Sequence, residues 1–145
     1  MLALLQRVTS ARVLVDEKII GQIESGLLVF VGVKPTDSDD DARRLLDRLL
    51  KYRIFADDGG KMNLSLQQID GGLLLVPQFT LAADTRHGLR PGFSSAASPV
   101  LGRRLFELML EAARSQHPTV ASGRFGAHMQ VSLVNDGPVT FWLES

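Results

Sequence analysis

The run Met129-Gln130-Val131-Ser132-Leu133-Val134-Asn135-Asp136-Gly137-Pro138-Val139-Thr140-Phe141-Trp142-Leu143 decides how the C-terminal part of this chain folds. Apolar residues alternate on both sides of Asn135-Asp136-Gly137-Pro138, so Met129–Val134 and Val139–Leu143 each read as a strand. Two readings of the residues between them are open. Asp-Gly between alternating apolar segments is a hairpin signal, and a plain turn would fold the two strands against each other. The other reading starts from the Gly-Pro pair. Pro138 fixes its own φ and can follow a cis peptide bond, while Gly137 reaches backbone geometries closed to other residues, so the pair can hold a carbonyl in a fixed place. In the last strand Val139, Phe141 and Leu143 alternate with Thr140 and Trp142. Both faces carry bulk, which predicts one face on the core and the other on a further surface such as a second subunit.

Upstream, Gly26 to Val33 reads Gly-Leu-Leu-Val-Phe-Val-Gly-Val, nearly continuous in apolar residues, as a central strand covered on both faces requires. Leu2 to Val8, Arg12 to Val15 and Lys18 to Ile23 are short and partly alternating, with Asp16-Glu17 as a turn, and form an antiparallel beginning. Ser38 with Asp41 makes a capping box, and Ala42, Leu45, Leu46, Leu49 and Leu50 then recur at helical spacing as one apolar stripe facing the sheet. Asn63 is placed to cap a short helical piece running to Gln68. Leu73-Leu74-Leu75-Val76 reads as a buried strand continuing into Pro77-Gln78-Phe79-Thr80-Leu81, its pairing ended by Pro77, which has no N–H to donate. From Ala82 to Ser98 small and polar residues make a long loop. Ser98-Pro99 supplies an N-cap and a first-turn proline to a second helix, whose buried face is Leu101, Leu105, Leu108 and Ala112 and whose stop is Pro118. Val120 to Gly126 is a connector. This order predicts a single α+β domain over residues 1–145, with a mixed, mostly antiparallel sheet packed with two main helices.

Composition removes several kinds of chemistry. With 145 residues, 45% of them hydrophobic and none of them cysteine, the chain reads as a soluble protein of a reducing cytoplasm. Disulfides, thiolate catalysis and a Cys-based zinc site are excluded. The apolar start Met1–Leu5 is followed at once by Gln6 and Arg7, so neither a signal peptide nor a membrane anchor is expected. Sixteen basic residues balance sixteen acidic ones, which leaves no broad nucleic-acid-binding face. Any RNA contact must be local, either at Arg43, Arg44, Arg48, Lys51 and Arg53, which read better as the solvated face of a helix, or at Arg86, His87 and Arg90. The three histidines, His87, His117 and His128, show no i, i+4 metal pair. No metal and no cofactor is expected. Asp84 and His87 near Ser94 lack the strained nucleophile turn of a Gly-x-Ser-x-Gly hydrolase, and no glycine-rich phosphate loop joins a strand to a helix.

Two short stretches remain, and each offers backbone more than side chain. Where the strand breaks off at Pro77, the N–H groups of Gln78 and Phe79 can be released toward a ligand or a developing oxyanion, with the Thr80 hydroxyl beside them. Equally, Phe79 and Leu81 can be core residues and Gln78 a solvated one. The second stretch is Asn135 to Thr140.

Taken together the two stretches carry a resemblance. From end to end the chain resembles the D-aminoacyl-tRNA deacylases of the D-tyrosyl-tRNA deacylase type, whose signatures are a Ser-Gln-Phe-Thr-Leu strand end and an Asn-x-Gly-Pro-x-Thr stretch. The second is intact as Asn135-Asp136-Gly137-Pro138-Val139-Thr140; the first is matched by Gln78, Phe79, Thr80 and Leu81 but begins with Pro77 in place of serine. Further matches are Gln6-Arg7-Val8, Tyr52-Arg53-Ile54-Phe55, Gly60-Lys61-Met62-Asn63-Leu64, Ala82-Ala83-Asp84, Arg90-Pro91 before Phe93, Gly123-Arg124-Phe125 and Met129 to Val134.

The resemblance implies hydrolysis of the ester between a D-amino acid and the terminal ribose of tRNA, action on glycyl-tRNA as well, and sparing of L-aminoacyl-tRNA. The partner would be the 3' acceptor end of an aminoacyl-tRNA. It implies a homodimer whose sheets join across a two-fold interface into a barrel-like core, each Gly-Pro pair reaching with a cis peptide bond into the other subunit's active site. Gln78, Phe79 and Thr80 would then be the catalytic set. Gly137 and Pro138, with Asn135, Thr140, Pro77 and Met129, would bind substrate, and Arg7 would lock the pair's orientation. The carbonyls around Gly137 and Pro138 would fix the α-amino group and leave no room for an L side chain. An aminoacyl ester is already activated, so water or the neighbouring ribose hydroxyl can attack it; Thr80 as covalent nucleophile is the competing mechanism. A binding module that holds such an end without turning it over is the alternative function. Pro77 fits the first signature if that position serves backbone shape alone.

Overall fold

The computed structural model describes residues 1–145, and a six-stranded sheet forms its frame. β1 (Leu2–Val15) is the strand on which the others assemble. One edge of β1 pairs antiparallel with β3 (Gly26–Gly32) over Leu2–Val8 and then with β2 (Lys18–Ile23) over Ala11–Val15. The two short strands expected here are therefore a single one, because one edge can change partners while the other stays continuously paired. The hairpin to β2 turns at Asp16 and Glu17, both at positive φ (49° and 64°), the backbone that matches the twist of the flanking strands.

The same pairing resolves the C-terminal run. β8 (Gln130–Glu144) pairs antiparallel with β1 along its whole length, from Leu2↔Glu144 to Leu14↔Gln130. Both halves of β8 thus run the same way against the same partner, and the hairpin reading of Asn135–Pro138 is excluded. Between the pairs Gln6↔Thr140 and Val8↔Asn135, residues 136–139 stand opposite Arg7 alone, as a bulge in one strand.

On its other edge β3 pairs in parallel with β6 (Gly72–Pro77), and β6 in parallel with β7 (Val120–Ser122). The expected connector at Val120 therefore begins with a short strand. The parallel step requires a long crossover, which α1 (Asp39–Lys51) supplies. Both halves of the Ser38–Asp41 capping box form, and Ala42, Leu45, Leu46, Leu49 and Leu50 are buried as the spacing predicts. The crossover continues through β4 (Phe55–Ala56), β5 (Met62–Leu64) and the single turn α2 (Leu66–Ile69). Ser65 rather than Asn63 caps α2, with Gln68 closing the box; Asn63 lies in β5 and binds Asp57 with its side-chain amide.

α3 (Pro99–Gln116) starts at Ser98 as expected, but it buries Gly102, Leu105, Phe106, Met109, Leu110 and Ala113. Of the predicted stripe only Leu105 is fully buried. The helix packs on α1 and the sheet together, and in a helix apolar on most sides spacing alone does not fix the rotation. The larger core lies between the helices and one sheet face. A smaller one, including Val8, Val13, Leu28, Leu74 and Val76, fills the other face, where the sheet curls until Gly21 of β2 meets the backbone of Ser122 in β7.

Candidate active site

β6 ends at Pro77, and the chain turns at once into a 3-10 turn over Phe79–Ala82 rather than extending to Leu81. The Gln78 N–H donates to the Val31 carbonyl at 2.8 Å, so it is not released as expected. Phe79 and Thr80 open the turn, where N–H groups have no acceptor within it, and no side chain caps them. Phe79 is 56% exposed, its ring 5.2 Å from that of Phe93, so it is no core residue. The Thr80 hydroxyl oxygen accepts a hydrogen bond from the Gln78 side-chain amide.

Beside this strand end opens a pocket of ≈ 460 Å³. Pro77, Gln78, Phe79 and Met129 all line it, together with Val31 and Val76 of the sheet, Ser98, Pro99, Gly102 and Phe106 of the α3 region, and Phe125 to His128. Thr80 is exposed and does not line it. The loop behind Met129 is fitted closely: a Cβ on Gly123 would fall 2.7 Å from the Met129 sulfur and 3.3 Å from Pro77 Cδ. His128 is the one titratable side chain on the wall. The pocket therefore offers apolar surface and, at Phe79, a backbone N–H with no acceptor in its turn, suited to orienting an ester and holding an oxyanion rather than to strong acid–base work.

Asn135, Gly137, Pro138, Thr140 and Arg7 lie elsewhere and contribute nothing to the pocket wall. They form a second arrangement around the β8 bulge. The Asn135 side chain spans its base, Oδ1 accepting from the Val139 N–H at 2.7 Å while Nδ2 donates to the Thr140 hydroxyl at 3.0 Å. Gln6 also donates to that hydroxyl, at 3.2 Å. Arg7 donates from Nε to the Asp136 carbonyl at 2.9 Å and from a terminal nitrogen to the Ile54 carbonyl at 2.7 Å, tying the bulge to the crossover. The Gly137–Pro138 bond is cis, and Gly137 has φ 146°. Both residues are exposed.

The other candidates separate. Asp84 is engaged by the Arg86 guanidinium and N–H, which hold its carboxyl well below the usual range, and it has no hydrogen bond to His87 or Ser94. His117 is buried, with its ring 2.6 Å from the Gly71 carbonyl. On α1, Arg43, Arg44 and Lys51 pair with Asp40, Asp41 and Asp47, the solvated helix face expected. Sequence reasoning missed the wall made by Phe125, Phe106 and the start of α3. Its one local signal was Gly102, a poor helix former placed where a Cβ would lie 3.3 Å from the Phe125 ring.

Comparison with known proteins adds to this geometry. The family model described as D-Tyr-tRNA(Tyr) deacylase matches residues 4–144. A D-aminoacyl-tRNA deacylase of Pseudomonas putida is 62% identical over 144 residues, covering 99% of each chain. One of Azotobacter vinelandii is 62% identical over 145 residues, covering 100% of each. Among solved structures, a c-Myc DNA Unwinding Element Binding Protein shares 34% identity with a TM-score of 0.95, covering 100% of this chain and 99% of its own. A probable eukaryotic D-amino acid tRNA deacylase, at 19% identity and a TM-score of 0.85 over 99% of this chain and 98% of its own, shares the fold.

Proposed function

The chain belongs to the D-Tyr-tRNA(Tyr) deacylase family and is a hydrolase that cleaves the ester bond of D-aminoacyl-tRNA; on that premise we propose how its residues do so. The aminoacyl ester enters the pocket beside Gln78 and Phe79. The Phe79 N–H stabilises the oxyanion as water or the ribose 2'-hydroxyl attacks the carbonyl. Thr80 is not the nucleophile in this reading. Its oxygen already accepts a hydrogen bond from Gln78, and no histidine or lysine is hydrogen-bonded to it to take its proton.

One observation carries the rest of the proposal. The strand-end residues share a pocket that holds none of residues 135–140, while Gly137 and Pro138 stand exposed on a bulge braced by Arg7 and Asn135. A second copy of the chain supplies the missing wall. In the homodimer the partner's Gly-Pro pair reaches the pocket, and its carbonyls meet the substrate's α-amino group where an L side chain would collide. Pro77 and Met129 form the apolar side, and glycyl-tRNA, with no side chain to exclude, is also cleaved. The enzyme thus proofreads the chirality of translation in the cytoplasm, and needs no cofactor.

The test is incubation with D-tyrosyl-tRNA and L-tyrosyl-tRNA. Release of D-tyrosine alone is expected, and release of both isomers at similar rates would overturn the chiral assignment. A second reading, binding without turnover, is favoured by the nucleic-acid-binding name of the 34% identical structure; retained binding with no release of either amino acid would establish it.

A further inference from the structure

Resting on the reading that the pocket takes the acceptor end of an RNA, we propose that Arg103 contacts the phosphate nearest that end, held at the pocket rim by the ring of Phe125. Arg103 follows Gly102 in the first turns of α3, and both Gly102 and Phe125 belong to the pocket wall. Its guanidinium carbon lies 5.1 Å from the centroid of Phe125. A terminal nitrogen is 3.7 Å from the place a Cβ on Gly126, another wall residue, would occupy. The cation thus stands against two residues of the pocket wall.

Its bonding leaves it able to act there. Arg43, Arg44, Arg86, Arg104 and Arg114 hold carboxylates at 2.6 to 3.2 Å. Arg103 has only Glu107, one helical turn on at 3.7 Å, with both side chains more than half exposed, a pair that contributes little in water. The cation over the Phe125 ring is anchored there by cation–π attraction, and with the side chain 55% exposed its N–H groups stay accessible to a phosphate, which arginine takes through two parallel hydrogen bonds. Arg124, adjacent to Phe125 in sequence, is exposed, and its side chain, in no salt bridge, leaves a second cation unpaired near this part of the chain. A chain with formal net charge +0 has no broad basic field to draw RNA in, and a local contact must do so. With the ester carbon beside Phe79, the first phosphodiester of the RNA lies one nucleoside away, outside the pocket mouth.

The experiment compares D-tyrosyl-tRNA with 3'-D-tyrosyl-adenosine, which has no phosphate, on the wild-type protein, Arg103→Met, Arg103→Lys and the distant control Arg114→Met. Methionine keeps an apolar stem over Phe125 and removes the charge. For the tRNA substrate Arg103→Met should raise KM roughly three- to tenfold, leave kcat within about twofold, and lower the slope of log KM against log salt by about 0.7 to 1. Lysine should restore part of the loss, the adenosine ester should be cleaved as by the wild type, and Arg114→Met should change neither substrate. In parallel, binding of uncharged CCA-ended tRNA, followed by fluorescence anisotropy across salt concentrations, should weaken in Arg103→Met. That arm reads the phosphate contact even if the wild type hydrolyses neither ester, an outcome that would instead overturn the proposed function. Equal losses on both esters would mean that Arg103 acts only through the packing of Phe125, and unchanged KM and salt slope would mean no contact; either result overturns the proposal.

Discussion

At the scale of single residues, Gly137 is the position where substitution has the most direct physical consequence. At φ 146° an L residue is strained, and an added Cβ would fall 2.6 Å from Val139 Cγ2 and 2.9 Å from the Val139 nitrogen. Gly137→Ala should therefore cost about 1–3 kcal/mol of stability in denaturant titration. It should also shift the bulge and raise the L-to-D ratio of tyrosine released from tyrosyl-tRNA; unchanged selectivity would count against the chirality filter. Thr80→Ala separates the mechanisms. With water or the ribose hydroxyl as nucleophile the variant retains measurable turnover, slowed about 10- to 100-fold by loss of the Gln78–Thr80 hydrogen bond that orders the turn; complete inactivity with intact substrate binding would favour the covalent route. At this scale the two signatures themselves were legible, because each occupies a short stretch. The fate of single N–H groups was not. Gln78 donates to Val31, and a bond to a strand 47 positions away in the chain leaves no mark beside residue 78.

At the scale of elements, α1 shows how local chemistry can be read. Ser38, three successive aspartates and a stripe of leucines predict its start and its buried face, and the capping box forms with the Ser38 N–H donating to Asp41 at 2.8 Å. The Ser38 hydroxyl and N–H hold the Asp41 carboxyl well below the usual carboxylate range. A carboxyl whose folded pKa is depressed stabilises the fold above its unfolded value of about 3.9, and that contribution is lost as pH falls below it. Asp41→Asn should accordingly show a shallower fall in Tm than the wild type as pH is lowered from about 5 to 3. An equal fall in both proteins would place the acid sensitivity elsewhere. α3 and β8 mark the limit of local reading. The rotation of α3 depends on packing against two neighbours at once, and β8 has the sequence of a hairpin with the pairing of one strand.

At the scale of the whole molecule, the free edge and outer face of β8 matter most. Val134 and Trp142 are 56% and 49% exposed, Phe141, on the opposite face from Trp142 and packed edge-on against Tyr52, is 36% exposed, and the braced Gly-Pro pair projects from the same strand. If a second copy covers this surface, activity per chain should fall on dilution below the dimer's dissociation constant. Trp142→Glu should then give a monomer by sedimentation, with D-tyrosyl-tRNA hydrolysis reduced by about 100-fold or more, since the pocket loses its opposite wall. A monomeric wild type of full activity would overturn the two-copy site. No helix is long and apolar enough to cross a membrane. The sequence by itself determined the α+β class, the N-termini of both main helices and the strand end at Pro77. Each of these depends on contacts within a few residues, through caps, prolines and apolar spacing. Only the tertiary structure decided that Asn135–Pro138 is a bulge and not a turn, that Met129 and the start of α3 wall the pocket with Phe79, and that the Gly-Pro pair stands outside it. The physical reason is that strand pairing is chosen by whichever edge lies alongside. The same alternating residues serve a hairpin or a long strand, and β1, more than a hundred positions away, was the edge that β8 met.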